Sequence, residues 1–201
     1  MLVALLSFIL LFSISCLNND KTGIADIDYT YQVPKAIGNQ IIEEDLKDYI
    51  GNYNGSLTVD MTSLKISSNP SNVFGIRYYK DMKQNVSITI EKNNITYNTG
   101  VKELDDVYND KPVEDIIITN FLKARGGSFQ ANYYGERIKE NYFTNKIKYF
   151  IKITFENNNA RVENIFSQFH WSIPNKTSVT SYSEIETFNG ILTKDNSSNG
   201  E

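Results

Sequence analysis

The sequence predicts a mainly β protein: an antiparallel up-and-down β-barrel with one N-terminal helix, or a β-sandwich as the alternative. Stretches in which apolar and polar residues alternate recur along the chain, which is typical of strands with one wet face. Turn-forming residues separate these stretches at short intervals. A helical spacing of apolar residues indicates one helix, ahead of the first strand. This combination favours an antiparallel fold over a βαβ arrangement, in which helices alternate with strands.

The N-terminal leader is the first element of the chain. Residues 2–12 are apolar except for Ser7, and small residues then lead to Cys16, the single cysteine. An apolar core of this length fits the roughly 7–15 residues of a secretory signal and falls short of the ~20 of a spanning helix. We therefore expect residues 1–15 to be a removed signal peptide. An ordinary signal peptide with an incidental cysteine and an uncleaved membrane anchor are the alternatives.

The segment Ser13-Ile14-Ser15-Cys16 resembles the lipobox of bacterial lipoproteins. Ile14 and Ser15 fit the family pattern, whereas Ser13 stands where leucine is preferred. The resemblance implies cleavage before Cys16 and attachment of lipid, palmitate included, to this residue. Several acyl chains together give stable anchoring where one chain does not. The implied location is the bacterial cell envelope, with the protein lipid-anchored in the outer membrane or at the cell surface.

Charge and composition restrict the rest of the chain. A net charge of −4 argues against a nucleic-acid partner, because such proteins carry a clustered basic surplus. Residues 16–38 begin with the polar stretch 17–23 and are interrupted by Pro34 and Gly38, which predicts a flexible tether. The alternating stretch 27–33 could instead dock as an edge strand. We expect one β-barrel domain at 39–194 and a polar tail at 195–201.

The predicted domain begins with a helix over 39–50. Its apolar residues share one helical stripe, namely Ile42, Leu46, Tyr49 and Ile50. Gly51 provides a stop, and a strand with period two follows over 53–61. Further strands are predicted over 86–91, 95–97, 115–122, 128–134, 149–155, 161–166 and 179–192. The segment 186–192 is expected to pair with the first strand, which would remove both free edges.

The segment 49–59 resembles the opening strand of lipocalin-like, or calycin-like, bacterial lipoproteins. In that group a helical turn leads into a Gly-x-aromatic strand, and Tyr53 stands here where lipocalins carry tryptophan. The resemblance implies an eight-stranded barrel that holds a small apolar ligand or is filled by side chains. The residues expected to face a ligand are Tyr53, Leu57, Val59, Ile88, Ile153 and Trp171.

Candidate catalytic and metal-binding residues are few. The single histidine, His170, lies in an aromatic stretch, and the sequence has no Gly-x-Ser-x-Gly turn to present a nucleophile. We interpret His170 as structural, with a ligand contact as the alternative. The acidic stretch 105–110 lacks the Asp-x-Asp-x-Asp-Gly order of a calcium loop. We therefore expect no enzymatic activity, no metal and no cofactor.

The sequence thus favours a non-catalytic, membrane-anchored extracytoplasmic lipoprotein. Its partner is expected to be a small apolar ligand, or a protein of the envelope or of a host. The alternative is a surface interaction, adhesin-like or envelope-structural module whose barrel is filled. A hollow interior would favour the first reading, and a solidly packed interior the second.

Overall fold

The computed structural model describes residues 31–69, 83–102, 115–139, 143–172 and 180–195. In these ranges the chain forms one antiparallel sheet of ten strands, curled into a half-barrel. The strands are β1 (Asn39–Gln40), β2 (Gly51–Asn69), β3 (Lys83–Glu91), β4 (Asn94–Lys102), β5 (Asp115–Ile118), β6 (Leu122–Lys123), β7 (Phe129–Lys139), β8 (Phe143–Glu156), β9 (Asn159–Ser172) and β10 (Thr180–Lys194). A short helix, α1 (Glu43–Leu46), precedes β2. The predicted antiparallel β class is therefore confirmed.

The strand order is β1-β6-β7-β8-β9-β10-β2-β3-β4-β5. Strands that follow one another in the chain are neighbours from β2 to β5 and again from β6 to β10. The last strand then pairs with β2, and this ladder joins Phe188 to Val59 and Thr193 to Asn54. The expected return of 186–192 to the first strand is confirmed by this pairing.

The edge strand β5 approaches β7, the third strand from the opposite edge of the sheet. Cα atoms of β5 and β7 come within 8 Å. In the turn after β5, Asn120 Nδ2 donates a hydrogen bond of 3.0 Å to the Asn132 carbonyl of β7. This side chain occupies part of the edge of β7 that the two-residue strand β6 leaves unpaired.

The hydrophobic core lies on the concave face of the sheet. Alternate residues of each long strand point into it, as the period of two requires. The largest side chains that are fully buried there are Tyr53, Tyr97, Phe129, Leu46, Leu57, Ile88, Ile90, Ile95, Ile116, Ile118, Ile151 and Ile153. Each buried side chain of this size stabilises the fold by about 1.5–3 kcal/mol relative to exposure.

The helix is shorter than the sequence predicts, because its expected first turn is used as a strand. Asn39 and Gln40 form β1 and pair with Lys123 and Leu122 of β6. Only part of the predicted stripe is buried as a result. Leu46 is completely covered, whereas Ile42 is 60% exposed and Ile50 46%.

Asp45 fixes α1 to the sheet. Its carboxylate accepts a hydrogen bond of 3.2 Å from the Ile42 backbone N–H, at the start of the helix. The same carboxylate pairs with the Lys123 ammonium at 2.5 Å. The hydrogen bond from Lys123, and then the one from Ile42, hold the pKa of Asp45 below its ordinary value. One side chain thus caps the helix and ties it to β6.

Residues 31–38, which the sequence assigns to the tether, lie across the outer face of β7, β8 and β9. We call them the N-terminal strap. Ser167 Oγ of β9 donates to the Tyr31 carbonyl at 2.8 Å. Asn132 Nδ2 of β7 donates to the Pro34 carbonyl at 2.9 Å, and its Oδ1 accepts from the Ala36 N–H at 2.6 Å. The leader, the lipobox-like segment and Cys16 lie outside the described residues.

Candidate functional site

The residues expected to face a ligand line the concave face of the half-barrel. Tyr53, Leu57, Ile88 and Ile153 are completely buried there, and Val59 packs against the same core while partly exposed. The sixth residue, Trp171, belongs to the backbone of β9, and its side chain lies outside the described part of the structure. The structure therefore brings five of the six expected residues together in one packed hydrophobic core.

An aromatic cluster fills the end of the interior next to α1. The Phe155 ring stacks on Tyr49 with centroids 4.6 Å apart, and it lies 5.4 Å from the Tyr53 ring and 5.6 Å from the Phe129 ring. The Tyr53 hydroxyl donates to the Tyr49 carbonyl at 2.9 Å, so its polar atom is satisfied. Burial raises the pKa of Tyr53. Ring packing of this kind makes this end part of the stabilising core.

Polar side chains gather beyond the aromatic cluster, on the same concave face. Asn164 Nδ2 of β9 donates to Gln84 Oε1 of β3 at 3.2 Å. Gln84 Nε2 in turn donates to the Thr99 carbonyl of β4 at 2.7 Å. The members of this polar interior cluster are Gln84, Tyr97, Tyr149, Asn164, Glu184 and Glu186, none more than 9% exposed. Buried polar groups on this scale are costly unless each finds a partner.

Three oxygens of the polar interior cluster lack a well-formed hydrogen bond. In the described part of the chain these are the buried atoms Tyr97 Oη, Asn164 Oδ1 and Glu186 Oε2. The Asn164 side chain lies next to the Tyr97 hydroxyl and limits the rise in the pKa of Tyr97. Leaving such an atom unsatisfied costs about 1–3 kcal/mol. Ser183 Oγ is also unsatisfied, but Ser183 is one residue out of phase with Glu184 and Glu186 and so belongs to the outer face. The concave face therefore contains buried polar atoms whose hydrogen-bonding capacity is not satisfied.

Glu186 occupies a special position in the sheet. The ladder between β10 and β2 pairs Ile185 with Lys65 and Thr187 with Asp60, so residues 61–64 bulge opposite Glu186. The bulge is held by Ser63, whose Oγ donates to the Asp60 carbonyl at 2.7 Å and accepts from the Thr187 N–H at 2.8 Å. Bulges of this kind re-aim side chains next to binding sites.

The charge state of Glu186 follows from its surroundings. Burial, and then the neighbouring charge of Glu184, raise the pKa of Glu186 to about 8. The carboxyl is therefore mostly protonated at neutral pH. Burial also raises the pKa values of Tyr97 and Tyr149 well above the ordinary range of tyrosine, so both phenols stay neutral.

A second concavity lies on the outer face, over β2, β3, β4 and β5. It is an open depression of ≈ 410 Å³ between polar side chains. Ser56 Oγ donates to Asn85 Oδ1 at 2.6 Å, and Asn98 Nδ2 donates to Asp115 Oδ2 at 3.0 Å. These side chains form hydrogen bonds with one another, whereas the concave face has buried oxygens that lack a well-formed hydrogen bond.

The described residues contain no group of three or more His, Cys, Asp or Glu side chains placed to hold a metal ion. The side chain of His170 and the acidic stretch 105–110 lie outside the described part of the structure. Among the described segments, no helix has the length and apolar character needed to cross a membrane.

Comparisons of this chain with protein-family models, with curated proteins and with solved structures give no match. Tyr97, Asn164 and Glu186 are not among the site residues expected from the sequence. A signal is nevertheless present in β10, where Glu184 and Glu186 alternate in phase with the buried Phe188. Carboxylates at core-facing positions of a strand are rare, because burial of charge is costly.

Proposed function

We propose that this protein is a lipid-anchored, extracytoplasmic binding protein, and that its calycin-like half-barrel takes up a small amphipathic ligand. The observation that carries the proposal is the set of unpartnered, fully buried oxygens on the concave face, at Tyr97, Asn164 and Glu186. Sites for small molecules are typically apolar surfaces with a few convergent polar groups. The concave face has apolar residues such as Ile88 and Ile153 beside the polar interior cluster. Because both side chains are fully buried in the packed core, the proposed ligand enters by displacing part of that packing.

The order of the strands supports a calycin-like assignment. Strands adjacent in the chain are adjacent in the sheet from β2 to β5 and from β6 to β10, and the last strand returns to β2. Up-and-down barrels share this order and carry ligands inside when side chains leave room. In our proposal the protein is not an enzyme and needs no metal or cofactor.

The proposed anchor is the lipid on Cys16, which joins the domain to the bacterial cell envelope. The hydrogen bond from Ser167 to the Tyr31 carbonyl holds the N-terminal strap on the outer face of β9. In our proposal the tether to the membrane therefore leaves the domain from this face. A Cys16→Ser variant expressed in a lipoprotein-processing bacterium is expected to lose the mass of the acyl chains and to move from the detergent phase to the aqueous phase. Equal mass and partitioning of both proteins would rule out the anchor.

The experiment for ligand binding is native mass spectrometry of the full chain, extracted in detergent from bacterial cells. We expect a non-covalent mass that disappears when the same sample is denatured. A protein that carries no added mass, and that binds none of a panel of amphipathic molecules, would contradict the proposal.

A second function is favoured by one observation, the aromatic cluster that packs the α1 end of the interior. The short ring distances at Phe155 leave this end filled. A barrel filled throughout would act through its outer surface, as an adhesin-like or envelope-structural module with a protein partner. A clean native mass together with specific binding of an envelope or host protein would select this function.

A further inference from the structure

The three unpartnered oxygens of the polar interior cluster define what a ligand must offer. Asn164 Nδ2 already donates to Gln84 Oε1 at 3.2 Å, and the amide oxygen Oδ1 of Asn164 can only accept a hydrogen bond. Glu186 Oε2 can only accept once the carboxyl is ionised. The Tyr97 hydroxyl has one proton to donate, for which the neighbouring Asn164 side chain is in place, and it can also accept a hydrogen bond. Buried acceptors without partners require a donor, either a water or a ligand.

A primary ammonium group meets this demand better than other small headgroups. It carries three N–H donors and no acceptor, and its positive charge is compensated by an ionised glutamate. A hydroxyl group supplies a single donor. A carboxylate supplies none, and it cannot compensate the charge of Glu186 once that carboxyl ionises.

We propose that the polar interior cluster recognises the ammonium group of an amphipathic amine, with Glu186 as its counter-ion. This inference rests on the proposed function, because it assigns the ligand to the concave face. The strand register gives the alkyl chain apolar neighbours. Phe188 and Ile151 flank Asn164 on the two adjacent strands, and Ile88 lies opposite Tyr97.

The groups that face Glu186 determine how binding depends on pH. Glu184 lies two residues away on β10, and Tyr149 approaches from β8, with Tyr133 of β7 and Tyr97 of β4 beside Tyr149. Among the described residues, β9 contributes the uncharged Phe166 and β2 the uncharged bulge 61–64. Since the phenols of Tyr97 and Tyr149 stay neutral, carboxyl ionisation controls the charge of the cluster.

The test measures binding of n-octylammonium to the full chain by titration calorimetry between pH 6 and 9. Because Glu186 holds its proton up to about pH 8, ammonium binding must expel that proton at neutral pH. We expect the affinity to rise close to tenfold per pH unit from pH 6 to about 7.5, and to level off above about pH 8. Titration in two buffers of different ionisation enthalpy at pH 7 is expected to show release of about one proton per amine.

Two variants separate Glu186 from the rest of the protein. Glu186→Gln keeps the shape but removes the charge, and is expected to lose at least about tenfold in affinity at pH 8 together with the pH dependence. Glu163→Gln changes a partly exposed glutamate on the outer face of β9 and is expected to bind like the wild type. The wild-type proton release tests the inference even if Glu186→Gln fails to fold.

Two probes of matched chain length complete the test, n-octanol and octanoate. Binding of either as tightly as the amine, or affinity for the amine that does not change with pH, would overturn the inference and leave the proposed function intact. If water alone occupies the cluster, none of the three octyl probes will bind, and the amine inference is refuted. A different ligand seen by native mass spectrometry would then leave the proposed binding function intact. A native mass with no added ligand would refute that function as well.

Discussion

Asn164 and Gln84 meet across the concave face of the half-barrel, where Asn164 Nδ2 donates to Gln84 Oε1 over 3.2 Å. Their strands, β9 and β3, are separated in the sheet by β10 and β2. The hydrogen bond therefore spans the curved interior and joins its two walls. A polar tie of this kind stabilises the curl only while both partners are present, because each is buried.

The tie predicts strong coupling between these two side chains. Asn164→Ala leaves the Gln84 carbonyl oxygen without its donor, and we expect a loss of about 2–3 kcal/mol in the free energy of unfolding. Gln84→Ala is expected to cost a similar amount. The double variant is expected to be less destabilised than the sum of the two, by about 1 kcal/mol or more in a denaturant-based cycle. Strictly additive effects would show that the hydrogen bond does not join the walls.

The aromatic cluster predicts which ring dominates stability. Phe155 contacts Tyr49, Tyr53 and Phe129, so Phe155→Ala is expected to lower the free energy of unfolding by about 3–5 kcal/mol. Tyr134→Ala is the matched control, because this aromatic residue of the same sheet is 63% exposed. Its expected effect is about 0.5 kcal/mol or less in the same urea titrations. Comparable losses in both variants would contradict the packing of this end.

The strands could be predicted from local sequence, because the alternation of apolar and polar residues in a strand is visible among neighbouring residues. The alternation over 53–61 predicts the inward positions of Tyr53 and Leu57, and the structure buries both completely. The apolar stripe over 39–50 misled the helix prediction at its start. Asn39 and Gln40 pair with β6 residues that lie 84 and 82 positions further along the chain, which no local pattern records.

The polar interior cluster was beyond sequence reasoning for a similar reason. Gln84, Tyr97, Asn164 and Glu186 come from four separate strands, and only the register of the sheet brings them together. The N-terminal strap is also non-local. Its polar composition is typical of a tether, while its hydrogen bond from Ser167 to Tyr31 spans 136 positions of sequence.

The raised pKa of Glu186 leads us to expect that the stability of the protein falls as pH rises. The unfolded carboxyl loses its proton near pH 4.5, whereas the folded one keeps it up to about pH 8. Between these values the folded state binds more protons, so the free energy of unfolding falls as pH rises, by up to about 1.4 kcal/mol per unit. We expect Glu186→Gln to flatten this decline in urea titrations from pH 5 to 8.5.

The outer-face variant Glu163→Gln serves as the control for that measurement, since Glu163 is partly exposed and lies 3.8 Å from Lys152. It is expected to retain the wild-type decline, and the gap between the two variants is expected to widen toward pH 8.5. Parallel pH profiles for both variants would contradict the raised pKa of Glu186.

Asn132 predicts how the N-terminal strap is held. Its side chain binds the Ala36 N–H, the Pro34 carbonyl and the Tyr149 carbonyl, so Asn132→Ala removes three hydrogen bonds at once. We expect hydrogen exchange at the Ala36 amide to accelerate at least about tenfold, because this amide has lost its acceptor and the strap opens locally. Asn54→Ala is the control, since Asn54 also lies on the outer face but binds Asp195 instead. If exchange at Ala36 is unchanged in Asn132→Ala, the strap does not depend on Asn132 for its place on the sheet.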